Sequence, residues 1–431
     1  MIVEKDLGGA LAVDSRPRGR PIRVNLKRLV FYLVFFLVFC FSGLITILDV
    51  IPYRMAMASA LVIPLLLIYG IRLDRVLLAH LALVAIVLLS GFWNGSSPTE
   101  VLLFLRIPAF SYLMYRLVSV YVRPDNTRRI IRLCVLVAMI QLPFVVLQQL
   151  TYEKLPARIT RYSDPIDFDF GTFHFKGDAA MAFFLILLVV FLLFDKRHNH
   201  IVRRKWIVLS WLTLTVLVSN AKILHLGIAF VWICYLITHM SAKAVVSVIV
   251  VFAVVFGALA YYGVFDRQWA ALSSTLRSNI ALTSRKEEQF LSGGYGRGSA
   301  FGYYLRGDLL WLGDGPSAYY DVFTRLRIRG NTGHLLLFYA EVGLLGWLCS
   351  VLMFFLIAFP GRKGCLRVSW VGALSFAIIQ VLSVTSQIMN NISIVLIYCI
   401  VVKSYLIPPK DNRVAPGAKA VTAGPDAMRR V

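Results

Sequence analysis

Long apolar runs follow one another along most of this chain, and they constrain its fold more than any other feature of the sequence. A helix needs about 20 apolar residues to cross the hydrocarbon core of a bilayer. Hydrophobic residues make up 59% of the 431 residues, whereas soluble domains contain about 45–50%. This excess excludes a series of soluble domains, and it also excludes a disordered or collagen-like chain. The sequence therefore predicts an all-α polytopic membrane protein.

We predict about twelve transmembrane helices, because the runs are apolar on every face, as lipid-exposed or bundle-buried helices are. The tetrapeptide Ser219-Asn220-Ala221-Lys222 interrupts the hydrophobicity and should form a tight turn between the seventh and eighth helices. The predicted spans are 29–49, 55–72, 76–93, 100–119, 130–150, 179–195, 206–220, 222–240, 244–265, 335–359, 368–385 and 387–407.

The basic residues orient these spans. The chain has 45 Lys and Arg against 22 Asp and Glu, a net charge of +23. In a soluble protein this balance would suggest a nucleic-acid partner, but here the basic residues concentrate in alternate connections, as in cytoplasmic loops. We therefore expect both termini in the cytoplasm and no nucleic-acid partner. The predicted organisation is a basic cytoplasmic tail at 1–28, helices one to nine at 29–265, a large external loop at 266–334, helices ten to twelve at 335–407 and a cytoplasmic tail at 408–431.

The large external loop is too long to be a simple connector, because loops above about 15 residues are usually functional or disordered. Its many aromatic residues predict a partly structured loop. Arg325, Arg327 and Arg329 alternate, which places three guanidinium groups on one side of an extended strand. This pattern suits a phosphate or pyrophosphate, and the alternative is a solvated or lipid-headgroup-binding stripe. His334 ends the loop and is a candidate base near neutral pH, the alternative being a simple interface residue.

Four other residues are candidates for substrate contacts. Lys222 either snorkels to the membrane interface or pairs with a ligand phosphate. Glu341 follows His334 by two helical turns on the same face, and either binds a sugar hydroxyl, orients a basic residue or packs between helices. Asp167 and Asp169 have the Asp-x-Asp spacing of metal-dependent glycosyltransferases, but this three-residue match is weak and we expect no metal there. Aromatic residues interleave with these two carboxylates, which suits carbohydrate.

The stretch from Arg306 to Gly346 resembles the signature of the O-antigen polymerase and O-antigen ligase family, which are bacterial membrane glycosyltransferases. The family also tends to carry a basic residue after a turn between two mid-chain spans, where this chain has Lys222 and an arginine is more usual. The signature covers a small part of the chain, whereas the twelve-span layout extends the resemblance to most of it. The matching residues are Arg306, Leu312-Gly313-Asp314-Gly315-Pro316, His334 and Glu341-Val342-Gly343-Leu344-Leu345-Gly346.

This resemblance implies an inverting, metal-independent glycosyltransferase that uses sugars linked to undecaprenyl pyrophosphate and needs no cofactor. It implies two catalytic residues, His334 as the base and Arg306 at the leaving pyrophosphate. Its expected partners are the lipid-linked glycan, an acceptor glycan or lipid A core, membrane lipids, a chain-length regulator and a flippase. The residues expected to bind substrate are Lys222, Arg325, Arg327 and Arg329 for the pyrophosphate, and Glu341, Asp167 and Asp169 for the sugar.

The reaction itself stays open at this point. A polymerase would join lipid-linked repeat units at the periplasmic face of a bacterial inner membrane, and a ligase would transfer the finished glycan to lipid A core. The acidic and aromatic loop around Asp167 favours the polymerase, since it suits a glycan acceptor. From another class, a lipid-linked oligosaccharide flippase would have a similar layout. Against a transporter, the sequence shows no internal repeat and few charges at mid-membrane.

Overall fold

The described parts of the chain are mainly helical, and no strand lies among them. The computed structural model describes residues 26–43, 64–151, 170–174, 177–195, 201–219, 221–239, 308–319, 333–361 and 369–407, apart from the side chain of Lys222. We number the helices α1 Leu26–Phe36, α2 Arg75–Trp93, α3 Pro98–Tyr121, α4 Thr127–Thr151, α5 Asp178–Phe194, α6 Lys205–Val218, α7 Lys222–His239, α8 His334–Ala358, α9 Trp370–Ser383 and α10 Ile392–Leu406. A π-helical turn, Leu37–Phe41, continues α1.

The predicted all-α membrane class is confirmed for these residues. Within the described ranges, α2, α3, α4 and α8 are long and apolar enough to cross a membrane, and five further apolar helices are shorter. The predicted break between the seventh and eighth spans is present, because α6 ends at Val218 and α7 begins at Lys222. The count of twelve spans remains a prediction. Most of the predicted large loop at 266–334 lies outside the described residues.

Local sequence signals determine where several helices begin. Asp74 caps α2, and its carboxylate accepts a hydrogen bond from Leu77 N at 2.9 Å. Ser97 and Glu100 form a reciprocal capping box at the start of α3, with Pro98 in the first turn. Asn391 caps α10 in the same way as Asp74 caps α2. Such side chains satisfy backbone N–H groups that have no partner within the helix, which would be costly at a membrane boundary.

Two helices form the centre of the bundle. Every residue of α5 from Ala180 to Phe194 is buried, and α10 is buried from Ser393 to Val402. A helix that is apolar on every face is expected to be covered on every face. The outer helices α2, α3, α4, α6 and α7 instead carry large exposed apolar side chains, which suits contact with lipid.

The bundle has two ends, which we name after residues of α2. The Asp74 end includes the second half of α3, since Tyr115 OH donates to Asp74 Oδ2 at 3.0 Å. It also includes the last turns of α8 and α10, whose residues line a cavity beside Asp74. At the Asn94 end, Asn94 Nδ2 donates to Gly313 O at 3.1 Å, which brings residues 308–319 onto the end of α2. We call residues 308–319 the docking segment.

The long helix α8 folds back on itself. Along an uninterrupted helix, His334 and Ser350 would be about 24 Å apart, because the rise is 1.5 Å per residue. Instead, His334 Nε2 lies 3.1 Å from Ser350 Oγ, so the two halves of α8 lie side by side. The backbone of Gly343, with φ 71° and ψ −172°, is non-helical and forms the apex. The sequence predicted one span at 335–359, and the run has the necessary length and apolarity, but its backbone is a hairpin.

Candidate functional site

The bend at Gly343 interrupts the hydrogen bonds of a continuous helix. Three i→i−4 bonds span Gly343, and two of them would run from the N–H of Leu344 to Ala340 O and from the N–H of Leu345 to Glu341 O. The bend leaves these two donors and two acceptors without their helical partners, in a largely apolar setting. Each unsatisfied polar group of this kind costs several kcal/mol. These four groups therefore need replacement partners from another part of the chain.

The docking segment supplies all four. Its carbonyl oxygens accept from the second half of α8, and its N–H groups donate to the first half, so each broken pair is exchanged for two new bonds. We call this arrangement the backbone exchange. Its bonds are Leu344 N to Leu310 O (2.8 Å), Leu345 N to Trp311 O (3.2 Å), Asp314 N to Ala340 O (2.8 Å) and Gly315 N to Glu341 O (3.1 Å).

The close approach of the two backbones requires glycine in the docking segment. Gly313 has φ of 73°, a conformation that residues with a Cβ rarely adopt. A Cβ atom at Gly313 would lie 2.5 Å from Glu341 C and 2.6 Å from the backbone nitrogens of Val342 and Gly343. The resemblance rested on Leu312–Pro316 and Glu341–Gly346 as separate motifs. The structure shows that these two motifs bind each other through their backbones.

The end of α2 strengthens the backbone exchange. Ser90 Oγ donates to Glu341 O at 2.8 Å, and Asn94 Nδ2 donates to Ser90 O and to Gly313 O at 2.9 and 3.1 Å. The sequence did not single out Ser90 or Asn94. The sequence signal that could have identified them is their spacing, since these two polar residues lie four positions apart at the end of an apolar helix.

The buried His334 begins the first half of α8. Its backbone N–H donates to Ser386 O at 3.0 Å, and its ring lies against Phe338, with 3.9 Å between ring centroids. Ser350 Oγ already donates its single proton to Trp347 O at 2.7 Å. With that proton used, the hydroxyl can accept from His334 Nε2–H, an arrangement in which Nδ1 is the unprotonated ring nitrogen. This tautomer is assigned from the hydrogen-bond pattern, and it makes Nδ1 the basic atom of the predicted base.

Glu341 lies in the last turn of the first half of α8, and its side chain is only 2% exposed. Its backbone oxygen takes part in the backbone exchange and accepts from Ser90. This burial favours the helix-packing role among the three alternatives for Glu341. Its role as a sugar ligand remains a prediction.

The turn that carries Lys222 is held by a histidine that the sequence did not single out. His225 Nε2 lies 3.0 Å from Val216 O and 2.7 Å from Ser219 O. Both carbonyls belong to the end of α6, so the imidazole satisfies acceptors that the helix end leaves free. Lys222 therefore starts α7 from a fixed turn. A histidine three residues after Lys222 was the only available signal.

The described end of the first long loop is part of the core. Phe170 and Phe173 are fully buried. Gln148 forms two hydrogen bonds with the backbone of Gly171, at 2.7 and 2.8 Å, and Gln141 Oε1 accepts from Thr172 N at 2.9 Å. Two glutamines of the apolar helix α4 therefore anchor this segment, which was expected to face a glycan.

The remaining predicted site residues lie outside the described part of the chain, so their roles remain predictions. Within the described ranges, His, Cys, Asp and Glu side chains form no group of three that could hold a metal ion. The structure thus places His334 and Glu341 on one half-helix that the docking segment holds. The residues outside the description are Asp167, Asp169, Arg306, Arg325, Arg327 and Arg329.

Comparisons with protein-family models, with curated proteins and with solved structures give no match for this chain.

Proposed function

We propose that the protein is a membrane glycosyltransferase that polymerises undecaprenyl-pyrophosphate-linked repeat units into a bacterial surface polysaccharide. The observation that carries this proposal is the backbone exchange, because it joins the two motifs on which the family resemblance rests. The same contact fixes the half-helix that begins with His334. The proposal includes twelve spans in the inner membrane, both termini in the cytoplasm and a site at the periplasmic face.

In the proposed reaction, an acceptor hydroxyl attacks the anomeric carbon of the lipid-linked donor. The bond from that carbon to the pyrophosphate oxygen breaks, with inversion, and the hydroxyl proton passes to His334 Nδ1. The leaving pyrophosphate is already anionic, so it needs cations rather than a proton. The proposal gives this role to Arg306, with Lys222, Arg325, Arg327 and Arg329 as further ligands. Because His334 is buried, acceptor binding has to uncover its imidazole.

Two alternative functions, a ligase and a flippase, would have different outcomes. A ligase would use the same base and the same leaving group, but would transfer the finished glycan to lipid A core. A flippase would move the lipid-linked oligosaccharide without making a glycosidic bond, and it would need no base at His334. The acceptor-like composition around Asp167 and Asp169 favours the polymerase over the ligase.

The deciding experiment is deletion of the gene, followed by analysis of the undecaprenyl-linked pool and of the surface glycan. We expect single repeat units on the lipid and no long polymer on the lipid or the surface. Long polymer trapped on undecaprenyl pyrophosphate would instead show a ligase. Repeat units confined to the cytoplasmic leaflet would show a flippase.

Chelators should not reduce the activity of the purified protein, because the proposal assigns the pyrophosphate charge to basic side chains. The measurement is polymer formation from a lipid-linked repeat unit with and without EDTA. Inhibition that added Mg²⁺ or Mn²⁺ reverses would contradict this expectation and would point to Asp167 and Asp169 as metal ligands.

A further inference from the structure

A cavity of about 450 Å³ opens at the Asp74 end of the bundle, between α2, α3, α8 and α10. It lies at the opposite end of α2 from the backbone exchange, so it is separate from the proposed glycosyl-transfer site. Arg72 and Arg75 line it from the start of α2, and Lys403 lines it from the last turns of α10. No step of the proposed reaction uses these three basic residues.

The cavity has an excess of positive charge. Of the described residues that line it, three are basic and Asp74 alone is acidic. Both carboxylate oxygens of Asp74 accept hydrogen bonds from neutral donors, Leu77 N at 2.9 Å and Tyr115 OH at 3.0 Å. Asp74 is therefore held in place by its capping role in α2. The arrangement favours an anionic ligand, and arginine is the residue best suited to phosphate oxygens.

Apolar side chains also line the cavity. Among them are Val118 of α3, Ile357 of α8 and Leu406 of α10. A free inorganic anion would gain nothing from these side chains, whereas an amphiphile would place its charged group against the basic residues and its hydrocarbon against the apolar ones. The ligand is therefore expected to have both parts.

Aromatic side chains pack near the same end of the bundle. Trp370 starts α9 beside the end of α8, because a Cβ at Gly372 would lie 3.0 Å from Ala358 O. Phe194, at the end of α5, stacks on Trp370 with 6.0 Å between ring centroids, and Trp206 of α6 stacks on Trp232 of α7 at 6.5 Å. Trp and Tyr concentrate where lipid headgroups meet hydrocarbon, which favours a headgroup-level position for this end.

We propose that this cavity binds one anionic membrane phospholipid, with its phosphate at Arg72, Arg75 and Lys403 and an acyl chain against the apolar lining residues. Basic pockets between membrane helices are a known solution for anionic headgroups. This binding depends on the membrane character of the chain and not on the proposed reaction.

The test is native mass spectrometry of the detergent-purified, full-length protein titrated with dioleoylphosphatidylglycerol or with dioleoylphosphatidylcholine. We expect one saturable phosphatidylglycerol adduct and no comparable phosphatidylcholine adduct. The double variant Arg72→Gln/Arg75→Gln should weaken phosphatidylglycerol binding by about 30-fold. The control Arg128→Gln/Arg129→Gln removes the same charge from exposed residues near the start of α4, and should retain the adduct.

Three results would overturn the proposal. The first is the absence of a saturable adduct, and the second is equal weakening in both double variants, which would show non-specific surface attraction. The third is displacement of the lipid by glycerol 3-phosphate at equal concentration, which would show a site for a soluble phosphate. If Arg72→Gln/Arg75→Gln does not fold, the phosphatidylglycerol titration is repeated with Lys403→Gln. An unchanged affinity for phosphatidylglycerol in that variant would also overturn the proposal.

Discussion

Gly313→Ala is expected to abolish activity and to lower the free energy of unfolding by about 4 kcal/mol or more. The left-handed backbone of an L-residue costs about 1–2 kcal/mol. The new Cβ would also lie 2.5 Å from Glu341 C, so the docking segment has to move away from α8. This movement breaks the bonds from Asp314 and Gly315 to Ala340 and Glu341, and each buried polar group left without a partner costs about 1–3 kcal/mol. The measurements are thermal melting of the purified protein and polymer formation in vitro.

Gly95→Ala is the matched control for this variant. Gly95 also has a positive φ, of 65°, but a Cβ there would have none of the described residues within 4 Å. It lies just beyond α2, close in sequence to Asn94, which contacts the docking segment. We expect a loss of only about 1 kcal/mol, from backbone strain alone. Equal losses in the two variants would mean that the backbone exchange contributes nothing.

His334→Ala is expected to reduce glycosyl transfer by about 10²–10⁴-fold, which is the usual contribution of a general base. Folding should survive, because the ring is replaced by a smaller apolar group and the backbone bond from His334 to Ser386 is retained. The measurement is the rate of polymer formation by the purified protein in liposomes, with binding of the lipid-linked donor measured separately. Loss of turnover with retained donor binding would support a base. Full activity would exclude His334 from that role.

Ser350→Ala separates the orientation of the imidazole from its basicity. This change removes the acceptor for His334 Nε2–H, so the tautomer with Nδ1 as the basic atom is no longer favoured. We expect an intermediate loss of activity, smaller than that of His334→Ala. Ser375→Ala is the control, because Ser375 is also a fully buried serine and its hydroxyl has no hydrogen-bond partner among the residues that the structure describes. Similar losses in the two serine variants would argue against a positioning role for Ser350.

The helical class and several boundaries could be predicted from sequence because they depend on local signals. The Ser219–Lys222 turn interrupts hydrophobicity, and Asp74 and Ser97 are strong capping residues. The hairpin in α8 gave no such signal, since Gly343 is one of two glycines in an apolar run, and a straight helix tolerates a glycine at a cost of about 1 kcal/mol. Its cause lies in the docking segment, some 30 residues earlier, and a pairing between two backbones leaves no trace in side-chain periodicity.

The candidate site could be predicted only where a residue stands out in the local sequence. His334 stood out by its residue type and its position at the start of an apolar run. Ser350, which fixes its tautomer, lies 16 residues later and meets it only because α8 folds back. Gln141 and Gln148 were read as members of a lipid-facing or buried span, and their bonds to Gly171 and Thr172 depend on a loop that returns into the bundle.

The backbone exchange also has a consequence for how the protein is made. A newly synthesised α8 can satisfy its backbone alone as a straight helix, whereas the hairpin needs the docking segment. The docking segment precedes α8 in the sequence and is therefore synthesised first, but the hairpin requires that this segment packs against α8. We expect the straight form to persist until that packing occurs. A chain that is inserted but not yet packed would lack the contact between His334 and Ser350.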